Sequence, residues 1–294
     1  MMLVRLNPVM IAALSLLAIA AVCIYYRENL IIEVVEVNVP IHGLPAAFDG
    51  FRIAQLSDLH GRKLNEGWIE EQLTAAGLDM IALTGDYVRH NNSSDMSRLA
   101  PLLATVPQIA PTFAVSGNHD IAAGWASIAA ELRQHGVTVL DNAYTTIARG
   151  DARLALAGLA CPYDSLANLS RAIPADAGPV ILLTHSPQVY TQHLAVDYLG
   201  EPLIGHPNVA AWANLIERPA LTLAGHTHGG QVKLPFIGAV TTATGQLFPS
   251  KHIEGLSWEG SGWLYISRGL GYTGLPLRFL SRPELTIITL KQAE

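Results

Sequence analysis

Five short apolar runs in this 294-residue chain stop abruptly at residues able to bind a metal ion. "FRIAQLS" runs into Asp58-Leu59-His60, and "LDMIALTG" runs into Asp86. "TFAVSG" ends at Asn118-His119-Asp120, "VILLT" ends at His185, and "LTLAG" ends at His226-Thr227-His228. Apolar runs of this length, closed by glycine and polar residues, read as buried strands.

Taken singly, each polar residue also reads as a cap or a hydrogen-bonded core group. Five strand ends finishing this way point instead to one site built from Asp58, His60, Asp86, Asn118, His185, His226 and His228. In open α/β sheets, ligands gather beyond the carboxyl ends of the strands. Residues i and i+2 of a strand point the same way, so Asp58 can converge with His60, and His226 with His228. Gly85, Gly117, Gly225, Gly229 and Gly230 flank these positions and allow sharp turns beside the site.

Helical patterns at 66–76 and 122–135 alternate with the first strands. Later segments, "ARLALAGL", "GGQVKL", "GWLYIS" and "ELTIITL", read as strands with fewer helices between them. Early alternation and late strand enrichment predict an α/β sandwich of two mixed sheets. No low-complexity linker or internal repeat divides residues 48–294, which read as a single domain.

The amino-terminal segment is different. No charged residue lies between Leu6 and Tyr26, and at about 1.5 Å per residue such a run spans roughly the 30 Å core of a bilayer. Residues 1–27 read as a transmembrane anchor, giving a single-pass membrane protein. Ala18-Ile19-Ala20 offers the competing reading of a cleavable signal peptide, although the apolar run continues past it. "IIEVVEVNVPI" then reads as a strand within a connector at 28–47. Arg5 before the span favours a cytoplasmic amino terminus with the catalytic domain outside, opposed by Arg27 just after it. A net charge of −6 argues against a nucleic-acid partner. Cys23 lies in the span and Cys161 is alone in the domain, so no disulfide forms within it.

The ordered pattern D-x-H … GD … GNH[D/E] … H … GH-x-H, over roughly residues 50–290, resembles the calcineurin-like metallophosphoesterase superfamily. With the hydrophobic amino terminus, "GHTHGGQV" and the closing "SRGLGYTGLPLRFLSRPELTIITL" are similar to its membrane-associated YkuE/YaeI-type branch. The resemblance implies an α/β/β/α sandwich and two divalent metal ions. Asp58, His60, Asp86 and His228 would hold the first ion. Asp86, Asn118, His185 and His226 would hold the second, with Asp86 bridging. Mixed imidazole and oxygen donors suit Mn, Fe or Zn, and a hydroxide held between two ions can attack a phosphoryl group.

His119 is not a ligand by this resemblance; its implied role is to protonate the leaving oxygen or to stabilise phosphoryl charge. Many relatives read GD-x-x-D where this chain has "GDYVRH", placing Arg89 at the last position. Either another carboxylate such as Asp120 orients His119, or the histidine is less well tuned; Arg89 is then a substrate phosphate contact or a plain surface residue. The long segment at 188–219, with His193, His206 and Trp212, reads as a helical lid or as a surface insertion.

"GLGYTG" at 269–274 fits a dinucleotide fingerprint, but Pro276 and the nearby chain end exclude the helix it needs. The segment reads as a glycine-rich loop beside the metals, or as one facing the membrane through Leu275, Leu277 and Phe279. The implied substrate is a phosphoester or pyrophosphate, lipid-linked in relatives of the UDP-2,3-diacylglucosamine type. A nucleotide-linked lipid belongs on the cytoplasmic face, which conflicts with the orientation the basic residues favour. The rival expectation is a non-catalytic, metal-binding envelope module that keeps the fold.

Overall fold

The run Met-Ile-Ala-Leu at 80–83 is buried on both faces, as a central strand between two apolar layers must be. Met80 and Ala82 join one cluster of core side chains, while Ile81 and Leu83 join another. The same division along every central strand generates the architecture. The computed structural model describes residues 7–89, 92–161, 167–175, 178–190, 215–216, 218–241, 247–249 and 251–293.

The first sheet contains β1 (Glu33–Ile41), β2 (Arg52–Leu56), β3 (Met80–Leu83), β4 (Thr112–Ala114), β5 (Thr138–Val139) and β14 (Glu284–Gln292), in the order β1-β14-β2-β3-β4-β5. The second contains β6 (Ala143–Arg149), β7 (Ala152–Gly158), β8 (Val180–Leu183), β9 (Pro219–Ala224), β12 (Gly255–Glu259) and β13 (Gly262–Ile266), in the order β12-β13-β9-β8-β7-β6. Both are mixed: β14 runs antiparallel to β2, and β6 and β12 run antiparallel to their neighbours. A short hairpin pairs β10 (Lys233–Leu234) with β11 (Gly238–Ala239).

Ile53, Val115, Leu156, Ile181, Leu223 and Ile288 fill the space between the sheets. Leu73 of α2 (Glu66–Ala75), Leu103 of α3 (Met96–Ile109) and Leu132 of α4 (Asn118–Gln134) cover the outer face of the first sheet. Leu169 and Ala172 of α5 (Leu169–Ala172) pack on the outer face of the second. The result is the expected α/β/β/α sandwich.

Several local expectations change. α3 carries no simple helical signal because Pro101 and Pro107 lie inside it. α4 begins at Asn118, earlier than its apolar pattern, because Gly124 (φ 101°) breaks the helix after its first turn. "GGQVKL" is mostly a tight turn, with only Lys233–Leu234 in a strand.

α1 (Pro8–Leu30) starts where the Asn7 side chain accepts from the Val9 N–H and Pro8 occupies the first turn. Its apolar residues face outward all round, and its central window has a mean hydropathy of 2.4 with none of it buried. At 1.5 Å per residue the helix is about 34 Å long, enough to cross a membrane by length and composition. It ends three residues beyond the expected boundary at 27. The connector strand is an integral sheet element: β1 pairs in parallel with β14 from Glu33–Glu284 to Ile41–Gln292.

Candidate metal centre

The seven candidate ligands lie just beyond the carboxyl ends of β2, β3, β4, β8 and β9, where strand termini from the two sheets meet. They do not converge by strand alternation. Asp58 (φ 53°), His60 (46°), Asp86 (55°), His226 (73°) and His228 (52°) all adopt the left-handed backbone region. For a residue with a Cβ this costs roughly 1–3 kcal/mol each, strain that only a well-determined surrounding can hold.

That surrounding is visible. The N–H groups of Asp58 and His60 donate to the carbonyls of Gly85 and Asp86, each at 3.0 Å, tying the first loop to the second. Asp120 accepts from four backbone N–H groups: those of Asp86, Tyr87, Val88 and Gly117. It therefore holds the Asp86 loop and does not orient His119, because both carboxylate oxygens are engaged elsewhere. Burial pushes the Asp120 carboxyl up to about 8, and Asp86 adds to it, while the Gly117 and Val88 N–H donors and the His185 charge oppose both. Gly117 and Gly225 serve close approach rather than turning; a Cβ at either would collide with Asp86 or with Ser57 and Asp58.

The donor atoms fall into two groups. Nε2 of His60 lies 3.1 Å from Nε2 of His228, which lies 3.4 Å from Oδ1 of Asp58. Nε2 of His185 lies 3.1 Å from Oδ1 of Asn118 and 3.2 Å from Nδ1 of His226. Oδ2 of Asp86 stands between them, 3.5 Å from His60 Nε2 and 3.2 Å from His185 Nε2. His226 thus faces one group through Nδ1, and His228 faces the other through Nε2.

Six of the seven are buried, and Asn118 is partly exposed. Nδ1 of His60 sits 3.2 Å from the Val88 carbonyl and Nδ1 of His185 sits 2.8 Å from the Thr84 carbonyl. A carbonyl can only accept, so each Nδ1 carries a proton and each Nε2 is the ring nitrogen turned into the centre. Burial pulls His60 down to about 4 and His226 down to about 3, which keeps both as neutral donors at physiological pH. Burial also opposes the charge on Asp86, but His185 and His60 outweigh it and hold the carboxyl well below its ordinary value. Conversely, burial lowers His185, yet the Asp86 charge overcomes this and raises it to about 9.

This donor set fits a pair of divalent ions. With metal–nitrogen distances of about 2.1 Å, neighbouring corners of one coordination shell lie roughly 3.0–3.4 Å apart, the spacing of the opposed imidazole nitrogens.

His119 stands at the rim. Its N–H donates to Oδ1 of Asp86 at 2.9 Å, and its ring meets that of His60 edge-on at 4.7 Å. A ring nitrogen lies within 4.8 Å of donors on His60 and Asp86, so proximity alone would also permit ligation. Arg89 lies farther out and is bound through two nitrogens to Asp95, at 2.8 and 2.7 Å. His193, His206, Trp212 and the expected lid at 196–213 lie outside the described residues.

Sequence reasoning missed three supports. Ser57 donates to Oδ2 of Asp58 at 2.6 Å. Asn29, at the end of α1, is buried against the domain. Arg278 is buried too, and its guanidinium donates to the carbonyls of Gly271, Ser281, Arg268 and His228. An arginine between Leu277 and Phe279 in a glycine-rich tail gives no sequence signal for such a role. "GLGYTG" itself does lie beside the centre, since the Leu270 and Gly271 N–H groups donate to the carbonyls of Ser57 and Asp58.

Comparison with known proteins agrees with this geometry. Residues 51–230 match the family model for calcineurin-like phosphoesterases. The metallophosphoesterase YkuE of Bacillus subtilis (strain 168) is 32% identical over 90% of this chain and 88% of its own length. Phosphodiesterase YaeI of Escherichia coli (strain K12) is 31% identical, covering 82% of each chain. A Danio rerio transmembrane protein with a metallophosphoesterase domain is 28% identical over 89% of this chain and 58% of its own. A buried, doubly grouped set of His, Asp and Asn donors at the strand ends, in a sandwich whose sequence matches over this span, makes the chain a member of the calcineurin-like phosphoesterase family, hydrolases of phosphoric esters that work with a dinuclear divalent-metal centre.

Proposed function

We propose that this protein is a membrane-anchored phosphoesterase that cleaves a phosphodiester or pyrophosphate bond in a lipid-linked substrate. The observation that carries the reading is the junction of α1 with the metal centre. A cleft of about 350 Å³ is walled by Tyr25, Asn29 and Leu30 of the helix end, and by His60 at the centre itself. Arg62, Lys63, Arg89 and Arg98 line the same cleft, supplying positive charge for an anionic headgroup. The E. coli relative's name, phosphodiesterase, supports the choice of bond, and the Danio rerio relative's name supports the anchor.

Asp58, His60, Asp86 and His228 would hold one ion, and Asp86, Asn118, His185 and His226 would hold the other. When bound, two such ions activate water at neutral pH and neutralise charge on the phosphoryl oxygens. The chain supplies the rest. The Val88 and Thr84 carbonyls fix the ring orientations of His60 and His185. Burial keeps the donors dry, which strengthens each electrostatic contact. His119, partly exposed at the rim and held through its N–H by Asp86, donates a proton to the leaving oxygen. Arg89, already paired with Asp95, lends the cleft positive charge and contacts the substrate phosphate from its outer wall.

A panel of soluble and lipid phosphoesters, assayed with Mn²⁺, Zn²⁺ and Fe²⁺, tests this. Preference for phosphodiesters or pyrophosphates bearing acyl chains is expected; equal turnover of short monoesters, with no effect of a lipid tail, would count against it.

A further inference from the structure

Outside α1, twelve large apolar side chains are exposed among the described residues, and eight of them lie in two segments, 234–248 and 275–280. Phe236 is fully exposed, Leu275 is 75% exposed, and Ile237, Phe248, Leu277 and Leu280 are also open to solvent. Isolated apolar residues on a surface need no explanation, whereas a concentration of them marks a contact face.

The two segments form one structure. The Lys233 N–H donates to the Phe279 carbonyl at 2.9 Å, and the Phe279 N–H donates to the Gln231 carbonyl at 3.0 Å. The Gln231 side chain also bonds to the backbone of Thr273 and Leu275. The second segment is in turn fixed to the end of α1: Arg278 N–H donates to Asn29 Oδ1 at 2.6 Å, and Pro276 shares a cleft wall with Tyr25 and Leu30. The apolar tips therefore continue the face from which the apolar helix leaves the domain. The first segment also grows directly from the candidate ligand His228, through the turn at His228–Gly230.

We propose that this face is a second membrane contact, in which residues 234–237, 247–248 and 275–280 sit in the bilayer interface beside α1 and hold the metal centre against the lipid headgroups. The inference rests on α1 being a membrane anchor. Apolar side chains enter the boundary between headgroups and acyl chains, while Arg62, Lys63 and Arg98 of the cleft meet anionic headgroups. A substrate then reaches the ions by lateral movement in the membrane, without leaving it.

Depth-dependent fluorescence on the full-length chain decides the matter. The chain is reconstituted in vesicles of phosphatidylcholine and phosphatidylglycerol, and an environment-sensitive dye is attached separately to Phe236→Cys, Leu275→Cys, Asp151→Cys and the native Cys23 of α1. The first three carry Cys23→Ser; Cys161 is buried. Asp151 lies in the turn before β7, at the opposite end of the parallel strands from the centre, and is the aqueous reference. Nitroxide-bearing lipids are expected to quench the labels at 236 and 275 several-fold more than that at 151, with Cys23 also quenched. Quenching at Cys23 alone would overturn the second contact and leave the anchor standing. No quenching at Cys23 would overturn the anchor and this inference with it. Labels at 236 and 275 shielded from both lipid and aqueous quenchers, with cross-links between copies, would assign the face to a second copy instead.

Discussion

The Asn29 side chain clasps the Arg278 backbone on both sides: the Arg278 N–H donates to Asn29 Oδ1 at 2.6 Å, and Asn29 Nδ2 donates to the Arg278 carbonyl at 3.2 Å. The guanidinium of the same arginine donates to the backbone of His228. One buried residue thus links the end of the apolar helix to a candidate metal ligand. Replacing Arg278 by Ala strips several buried carbonyls of their donor, and destabilisation of about 2–4 kcal/mol is expected. Lys should not rescue it, because a single ammonium cannot reach the same set of carbonyls. Thermal unfolding of the detergent-solubilised chain measures both variants; an unchanged midpoint in Arg278→Ala would remove the link.

His226 and His228 face different donor groups, so each substitution is expected to weaken a different ion. His226→Ala should release the ion shared with His185 and Asn118, and His228→Ala the ion shared with Asp58 and His60. Metal analysis after dialysis, with spectroscopy of Co²⁺-substituted protein to tell the sites apart, checks this. Identical spectra for the two variants would contradict the split.

Turnover in His119→Ala should fall by roughly 10²–10⁴ if the imidazole protonates the leaving group. Metal content should stay at the wild-type level, because His119 bonds to Asp86 through its backbone, which the substitution spares. The loss should be smallest for substrates with acidic leaving groups. A variant that loses its metals would make His119 a ligand.

The Arg89–Asp95 pair predicts a pH effect on stability. Burial raises Asp95, but hydrogen bonds and charge from Arg89, with Arg98 nearby, outweigh it and lower the carboxyl below its ordinary value. A lowered carboxyl contributes stability that is present above the unfolded value, near 3.8, and is lost as pH falls through the folded one. Arg89→Ala should therefore destabilise the protein at neutral pH by about 1 kcal/mol, a small figure because Arg89 is half exposed and water screens the pair. Denaturant titration should show the difference closing below about pH 4; a constant difference would show that Arg89 acts only by packing.

The sandwich and all seven candidate ligands were legible in the sequence because buried strands announce themselves as apolar runs and their ends are abrupt. The means of convergence was not legible. Strand alternation would have placed Asp58 beside His60, but both lie past the end of β2 in left-handed backbone. That conformation is imposed by contacts with the Gly85–Asp86 loop, which are distant in sequence. Asp120 shows the same limit: adjacency to His119 suggested an orienting role, yet its side chain turns to four backbone donors across the site. Arg278 and Asn29 are long-range partners 249 residues apart, and no local pattern marks them. The helix α3 escaped notice because its two prolines obscure the periodicity that its buried leucines follow.

Asp86 is the residue on which the proposed two-ion site turns, since its Oδ2 faces both donor groups. The most direct measurement is metal content and turnover of a chromogenic phosphodiester, on the same purified samples, for the wild type and Asp86→Asn across a Mn²⁺ titration. Wild-type turnover should appear with binding of the second ion and vanish on chelation, while Asp86→Asn should lose both paired binding and turnover. Turnover that survives in Asp86→Asn, or a wild type that binds both ions and cleaves nothing, would contradict it.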